Sequence, residues 1–312
     1  MTDLSPAARE CRSIFVSAPD GVRLHVREYG QAHSPALCVV CLPGLARTTA
    51  DFDALAPALA YDKPQRRVIA IDSRGRGQSE YDANPKNYNL TVELGDLAAV
   101  LMALEIKRAV FIGSSRGGIL TMLLAAAHQE MIAGAVLHDI GPVIEPEGVA
   151  RIKSYVGKLR QPNNFEEGVD ILRGLFAAQF PKFTREQWLS TAQRTWKLQT
   201  GTLVLTYDPA LSETLADFDS EHPLPSLWKE FEALARVPVL VIRGVRSDIL
   251  SAATLNAMRA RHPGVESIEV PDQGHVPLLE GTQLIRRINS FVQKCEHTAT
   301  SRLDASGSAM EG

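Results

Sequence analysis

The sequence has little that would suit a membrane, a nucleic acid or a metal ion. No segment approaches the ~20 apolar residues that a membrane-spanning helix needs. The 33 Lys and Arg residues, against 36 Asp and Glu, are scattered and form no basic cluster for a nucleic acid or an anionic membrane. No element has His and carboxylate residues at the close spacing of a metal site. We therefore expect a soluble protein that binds neither membrane nor nucleic acid and needs no metal or cofactor.

Cysteine is also scarce. Cys11, Cys38, Cys41 and Cys295 are too few and too irregularly spaced for a disulfide framework. Cys38 and Cys41 match C-x-x-C, but residues three apart on a strand point to opposite faces, which disfavours a redox or metal-binding role. Because the N-terminal residues also lack an apolar run behind a basic one, we expect a reducing, cytoplasmic location.

The order of predicted elements indicates an α/β fold. Apolar strands alternate with helical periodicity from residue 36 to residue 137, which is typical of a parallel sheet. A hairpin pattern over residues 13–29 precedes them. From residue 142 to residue 236 the alternation stops, and amphipathic helical stretches separated by prolines replace it, with no buried apolar strand. The strand and helix pattern returns at residue 237.

These patterns predict a mostly parallel sheet flanked by helices, with an inserted helical cap. The predicted boundaries are residues 12–141 and 237–295 for the two parts of the core, 142–236 for the cap and 296–312 for a disordered tail. With 312 residues and 45% hydrophobic content, the chain can bury a full core. We expect a monomer or homodimer whose partner is a small-molecule substrate.

The most informative stretch is residues 109–120, AVFIGSSRGGIL, which contains G-x-S-x-G. Apolar β-forming residues lead into the turn and a helical pattern follows it, as in a nucleophile elbow. Side chains at Gly113 and Gly117 would collide with the flanking strand and helix. Ser115 then lies at a helix N-terminus, where free N–H groups favour developing negative charge. We predict Ser115 as a nucleophile, although a small-residue turn would give the same pattern, so the partners must decide.

A serine nucleophile requires a histidine base and an acid that orients it. His275 follows the last predicted strand in a loop next to Gly274, at the edge where parallel α/β sheets bind ligands. Asp139 and Asp248 also follow predicted strands. We favour Asp248 as the acid because its strand should neighbour the strand before His275. Asp139 is the alternative acid, since it can instead serve its own turn by accepting backbone hydrogen bonds.

The tetrahedral intermediate of acyl transfer also needs an oxyanion hole. It is commonly formed by the N–H after the nucleophile and an N–H in the loop after the third strand, which here belong to Arg116 and Leu45. Gly44 lets that loop turn its amides inward. Two roles are open to the Arg116 side chain: an ion pair with a nearby carboxylate, which we favour, or contact with an anionic substrate.

The predicted cap holds much of the chain's aromatic content, which favours either an apolar roof over the site or packing of the cap on the sheet. Within it we predict Tyr207 and Trp228 as substrate-binding residues. His138, at the tip of a predicted strand, is predicted to form a wall of the site or to be a buried, hydrogen-bonded histidine.

With these motifs the chain resembles the α/β-hydrolase superfamily, and within it the capped serine esterases, enol-lactonases and C–C hydrolases. The resemblance covers nearly the whole chain and rests on Pro43-Gly44, residues 72–79, residues 113–117, Asp248 and Gly274-His275. It implies a Ser-His-Asp hydrolase of a small carboxylic ester or lactone, with residues 72–79 as scaffold. Family loops commonly have histidine where this chain has Pro43, so the support of that side chain is absent.

Other functions fit the residues less well. The phosphate-binding patterns G-x-G-x-x-G and Gly-Lys-Ser are missing, which disfavours nucleotide binding. A related dehalogenase would have aspartate in place of Ser115. A non-catalytic ligand receptor of this fold usually lacks a member of the triad, and none is missing here. C–C bond hydrolysis and perhydrolysis use the same triad, so the sequence leaves both open.

Overall fold

The computed structural model describes residues 11–219, 221 and 224–308. In chain order, the strands are β1 (Arg12–Ser17), β2 (Arg23–Tyr29), β3 (Cys38–Leu42), β4 (Val68–Ile71), β5 (Ala109–Ser114), β6 (Ile132–His138), β7 (Trp196–Gln199), β8 (Thr202–Leu205), β9 (Val239–Gly244) and β10 (Val265–Val270). The helices are α1 (Leu55–Tyr61), α2 (Leu90–Ala103), α3 (Arg116–Ala127), α4 (Pro146–Tyr155), α5 (Phe165–Phe176), α6 (Arg185–Thr195), α7 (Trp228–Glu232), α8 (Ala252–Arg261) and α9 (Thr282–Ser308).

Eight of these strands form one sheet in the order β1-β2-β4-β3-β5-β6-β9-β10. The strands from β4 to β10 in this order are parallel, and the pairs β1-β2 and β2-β4 are antiparallel. The predicted fold class, a mostly parallel α/β sheet flanked by helices, is confirmed. The C-terminal ends of β5, β6, β9 and β10 consequently lie side by side along one edge of the sheet.

The middle strands are buried because helices cover both faces of the sheet. β5 illustrates this, since each of its residues is buried. Phe111 packs in the cluster on one face together with Leu97 of α2 and Leu120 of α3. Ile112, on the opposite face, packs with Phe52 and Phe291. Successive residues of one strand therefore contribute alternately to the core on the two faces of the sheet.

The segment at residues 142–236 contains α4, α5 and α6, as its periodicity predicts, but also a hairpin formed by β7 and β8. The expectation of helices alone in this segment is therefore wrong. The hairpin turns at Thr200 and Gly201, both with positive φ. Apart from Trp196, its first strand is exposed and contains one apolar residue, Leu198, so no apolar run marks it in the sequence. Helix α7 packs its buried Phe231 into the core cluster beneath the sheet.

The C-terminal helix α9 continues to Ser308, so the prediction of disorder from residue 296 is wrong over that range. Contacts with distant residues hold the helix beyond residue 295. The completely buried side chain of Arg66 lies 2.9 Å from Glu296, and Ala299 is buried. Residues 309–312 and the frayed arm predicted at residues 1–11, except Cys11, lie outside the described residues. Among the helices that are described, none has the length and apolarity needed to cross a bilayer.

The tight packing of α3 on β3 predicts a large effect of one added methyl group. A Cβ on Gly117 would lie 2.1 Å from the Leu42 carbonyl oxygen, a backbone atom that cannot rotate away. We expect Gly117→Ala to lower the free energy of unfolding by about 1–3 kcal/mol or more. The control is Gly95→Ala on α2, where a Cβ meets nothing within 4 Å. It should raise stability by about 0.5–1 kcal/mol. Equal melting temperatures for the two variants would contradict this.

Candidate active site

Ser115 occupies a sharp turn between β5 and α3. Its backbone has φ 51° and ψ −115°, a conformation that non-glycine residues rarely adopt. The turn is this tight because its flanks approach closely: a Cβ on Gly113 would lie 2.4 Å from the Gly117 carbonyl oxygen. The Ser115 N–H donates to the His138 carbonyl oxygen at 2.9 Å, which fixes the turn to β6. Strained residues held in this way occur mainly at functional sites.

His275, in the loop after β10, joins Ser115 to an acid. Its Nε2 lies 2.8 Å from Ser115 Oγ, and its Nδ1 lies 2.8 Å from Asp139 Oδ2. Because an ionised carboxylate only accepts hydrogen bonds, the ring proton of the neutral histidine is assigned to Nδ1. Nε2 is then free to accept the Ser115 hydroxyl proton. The side chain of His275 is only 6% exposed, and that of Asp139 is completely buried.

Asp139 is held by three further hydrogen bonds at the end of β6. Its Oδ1 accepts from the Gly244 N–H at 2.7 Å, and its Oδ2 accepts from the Ser247 hydroxyl at 2.7 Å. Its own N–H donates to the Ile242 carbonyl oxygen at 2.6 Å. The carboxylate is thus oriented toward His275 by the strand and loop next to it. The backbone N–H that donates to the Asp139 carboxylate belongs to Gly244 of β9 and not to the turn of Asp139, so the expected role within that turn is not what the structure shows.

Asp248, favoured as the acid from the sequence, does not contact His275. It forms a two-pronged pair with Arg151 of α4, at 2.5 and 2.8 Å. Burial alone would raise the pKa of Asp248, but the Arg151 guanidinium outweighs it and lowers that pKa. The predicted contact between Asp248 and His275 is corrected: β6 lies directly between β5 and β9, and in the loop after β9 it is Ser247 that hydrogen-bonds to Asp139.

The Arg116 side chain is tied to a buried carboxylate, as favoured from the sequence. Its Nε donates to Glu93 Oε2 at 2.7 Å. Arg76 lies 2.8 Å from the other oxygen of Glu93 and donates from its Nε to the Leu45 carbonyl oxygen at 2.7 Å. Burial opposes ionisation of Glu93, yet the two guanidinium groups hold its pKa below the ordinary value. Glu93 thereby links Arg116 to Leu45 by way of Arg76. Leu45 and Arg116 are the two residues whose N–H groups are predicted to donate to an oxyanion.

A cavity of about 140 Å³ opens onto Ser115 and His275. Its remaining lining from the sheet side includes Gly44, Leu45, Ala46, Arg47, Asp51, Ser114, His138 and Val276 to Leu279. The inserted segment contributes Ile152, Tyr155, Val156, Leu172, Phe176, Phe180, Phe183, Trp188, Thr191, Arg194, Thr195 and Tyr207. Among the described residues, no cluster of three or more His, Cys, Asp or Glu side chains is arranged to hold a metal ion.

The three predicted substrate-binding residues differ in their positions. Tyr207 and His138 line the cavity. His138 Nδ1 also lies 2.7 Å from Ser114 Oγ, and burial lowers the pKa of His138 to about 4, so its ring is neutral near pH 7. Trp228 does not line the cavity, and its prediction is corrected. It lies on α7, which packs beside α3, and its ring stacks under the Arg261 guanidinium at 4.0 Å.

Sequence reasoning missed several residues of the site. Ser247, which orients Asp139, is one of them, because a serine in a loop gives no signal. Arg47, Asp51 and Arg194 all line the cavity. Charged residues on helices and loops are usually solvated, and only the fold shows that these three face a cavity. The residues 72–79, interpreted as scaffold, are indeed mostly engaged in buried hydrogen bonds, such as that of Asp72 with the Thr49 N–H at 2.7 Å.

Comparisons with known proteins agree with this architecture. A model of the alpha/beta hydrolase fold matches residues 38–282. A 3-hydroxybutyrate-oligomer hydrolase of Cupriavidus necator is 36% identical over 271 residues, covering 83% of this chain and 89% of that protein. A 2-(acetamidomethylene)succinate hydrolase of Mesorhizobium japonicum is 24% identical and covers 81% of this chain and 85% of its own.

A solved structure of an alpha/beta hydrolase is also similar to this chain. An alpha/beta hydrolase from Novosphingobium aromaticivorans superimposes with a TM-score of 0.85 and 40% sequence identity, and the match covers 92% of this chain and 99% of that one. On the extent of these matches, the chain belongs to the α/β-hydrolase family.

Proposed function

We propose that this protein is a serine hydrolase that cleaves a carboxylic ester through an acyl-enzyme on Ser115, with His275 as base and Asp139 as the acid that orients it. The observation that carries the proposal is the unbroken chain of hydrogen bonds from Ser115 Oγ through His275 to Asp139, with 2.8 Å at both links. Its serine end opens into a cavity.

The reaction follows from this geometry in two halves. His275 Nε2 takes the Ser115 proton as Oγ attacks the ester carbonyl carbon, and Asp139 stabilises the imidazolium that forms. The tetrahedral intermediate collapses when the imidazolium gives its proton to the leaving alcohol. Water then enters, loses a proton to Nε2 and attacks the acyl-enzyme. Release of the carboxylic acid returns the proton to Ser115.

The oxyanion of both intermediates is proposed to bind the N–H groups of Leu45 and Arg116. Arg116 is the first residue of α3, so its N–H has no acceptor within the helix. The hydrogen bond from Arg76 Nε to the Leu45 carbonyl oxygen restrains the peptide group that follows Leu45. Donors fixed in advance cost no reorganisation when charge develops, which is why such sites are effective.

The proposed substrate is an ester of a short hydroxy acid. The similarity to the 3-hydroxybutyrate-oligomer hydrolase supports this class, since that match covers most of both chains. A cavity of about 140 Å³ lined by side chains such as Leu172, Phe176 and Trp188 favours a small aliphatic acyl group. In this proposal the residues 142–236 act as a cap that selects the substrate, and the chemistry belongs to residues at the strand ends.

The first test is covalent labelling of Ser115. A fluorophosphonate should add one adduct per chain, located on Ser115 by peptide mass spectrometry. Ser115→Ala should abolish labelling and lower kcat on the best ester by about 10⁶-fold. An unlabelled wild type, or ordinary turnover by the alanine variant, would contradict the proposal. Mass-spectrometric identification of products separates ester hydrolysis from lactone opening, C–C cleavage and peracid formation.

A second prediction separates the two aspartates. Asp139→Asn should lower kcat by about 10⁴-fold, because an amide neither fixes the Nδ1–H tautomer nor stabilises the imidazolium. The matched variant Asp248→Asn loses the ion pair with Arg151 but no hydrogen bond to His275, so it should keep most of the activity. Melting temperatures of both variants control for loss of fold. A large kcat loss in Asp248→Asn, with Asp139→Asn nearly normal, would reverse the assignment.

A third prediction concerns the cavity wall. Trp188→Leu should change the relative kcat/KM across a series of p-nitrophenyl esters, because the side chain lines the cavity and longer acyl groups reach it. Trp228→Leu, outside the cavity, should leave that ratio unchanged even if it lowers the melting temperature. The same profile for the two variants, or a uniform loss across the series for Trp188→Leu, would mark Trp188 as a packing residue.

A further inference from the structure

Arg194 is a partly buried cation in the cavity, and its nearest carboxylate is too distant for a hydrogen bond. It lies in the last turn of α6 and lines the same cavity as Ser115. Only 16% of its side chain is exposed. The wall that the inserted segment contributes is largely aliphatic and aromatic. A guanidinium group in such a wall is costly to bury unless a group of opposite charge pairs with it.

Neither of the acidic groups near Arg194 forms a hydrogen bond with it. Glu280, the carboxylate nearest to it, is 3.8 Å away, beyond hydrogen-bonding distance. One Glu280 oxygen already accepts from Gln187 Nε2 at 2.9 Å. Asp53 also interacts electrostatically with Arg194, but its ion pair is with Arg27. Among the residues that the structure describes, the Arg194 guanidinium donates no hydrogen bond.

The other arginine of the cavity lining has a different environment. Arg47 donates two hydrogen bonds to Asp51, at 2.8 and 2.5 Å. Asp51 also lines the cavity, so these two charges cancel within it. Among the described residues, Arg194 is therefore the arginine of the lining that has no hydrogen-bonded carboxylate, since Glu280 is 3.8 Å away.

We propose that Arg194 binds a carboxylate of the substrate. This inference rests on the proposed function and narrows it to esters that carry a free carboxylate group near the scissile bond, such as the dimer of a hydroxy acid. The planar guanidinium offers two parallel N–H donors that match a carboxylate in geometry and charge. One cation neutralises one negative charge, so the site distinguishes a chain end that bears a carboxylate from an internal ester unit. The enzyme therefore acts on short oligomers close to their acid end.

The test compares two substrates that differ in one charge: the linear dimer of 3-hydroxybutyrate as the free acid, and its methyl ester. Wild type should prefer the free acid in kcat/KM by about 10- to 100-fold, the range expected for one charge-assisted interaction. Arg194→Gln should lose this preference, mainly through KM, and should lower turnover of the methyl ester much less. Arg194→Lys should keep part of the preference because it keeps the charge.

The matched control is Arg185→Gln on the same helix. The Arg185 side chain is 67% exposed and pairs with Glu166 outside the cavity, so this variant should behave like wild type. Equal turnover of free acid and methyl ester by wild type would overturn the inference, as would a parallel loss on both substrates in Arg194→Gln. Either result leaves ester hydrolysis by Ser115 intact.

A binding experiment separates this inference from the proposed function. If no ester is turned over and the fluorophosphonate does not label Ser115, the proposed function is wrong, and calorimetry of the free-acid dimer on Ser115→Ala still measures the site. Binding that weakens about 10- to 100-fold on adding Arg194→Gln supports the carboxylate site. Absence of binding, or equal binding with and without Arg194, overturns it.

Discussion

The hydrogen-bonded chain from Ser115 through His275 to Asp139 depends on the order of parallel strands. Each of its members follows the C-terminal end of a strand, and these ends share one edge because the strands run in the same direction. The position of β6 between β5 and β9 puts Asp139 within reach of a histidine that comes more than a hundred residues later. With another strand order, the same three residues would not meet.

Several buried arginines near this edge of the sheet are hydrogen-bonded to carboxylates, and Arg194 differs from them. Arg74 forms two hydrogen bonds with Asp96, at 2.7 and 2.6 Å, and both side chains are almost completely buried. Glu93 lies between Arg76 and Arg116 and pairs with both of them. A buried charge without a hydrogen-bonded partner is costly. Arg194 is partly buried and lies 3.8 Å from Glu280, and the proposed substrate carboxylate would give it a hydrogen-bonded partner.

Much of the fold and part of the site could be predicted from local patterns. The strand-turn-helix around Ser115 is encoded by adjacent residues, because the glycines at 113 and 117 are required by contacts within a few residues of the turn and with β3. The Gly274-His275 loop was placed at the correct edge by the last strand. The hairpin of β7 and β8 was missed, since β7 is exposed after Trp196 and contains no run of apolar residues. The continuation of α9 was missed because its anchor, Arg66, is distant in sequence.

The sequence by itself determined the α/β class, the strained serine turn and the histidine loop, because short-range sterics and the periodicity of apolar residues produce them. Only the tertiary structure shows that Asp139, and not Asp248, hydrogen-bonds to His275. That contact depends on which strands are neighbours and on which loop side chain, Ser247 or Asp248, faces inward. The tertiary structure also placed Trp228 outside the cavity and Arg194 inside it. Such positions depend on the packing of distant elements, and no local pattern of residues records that packing.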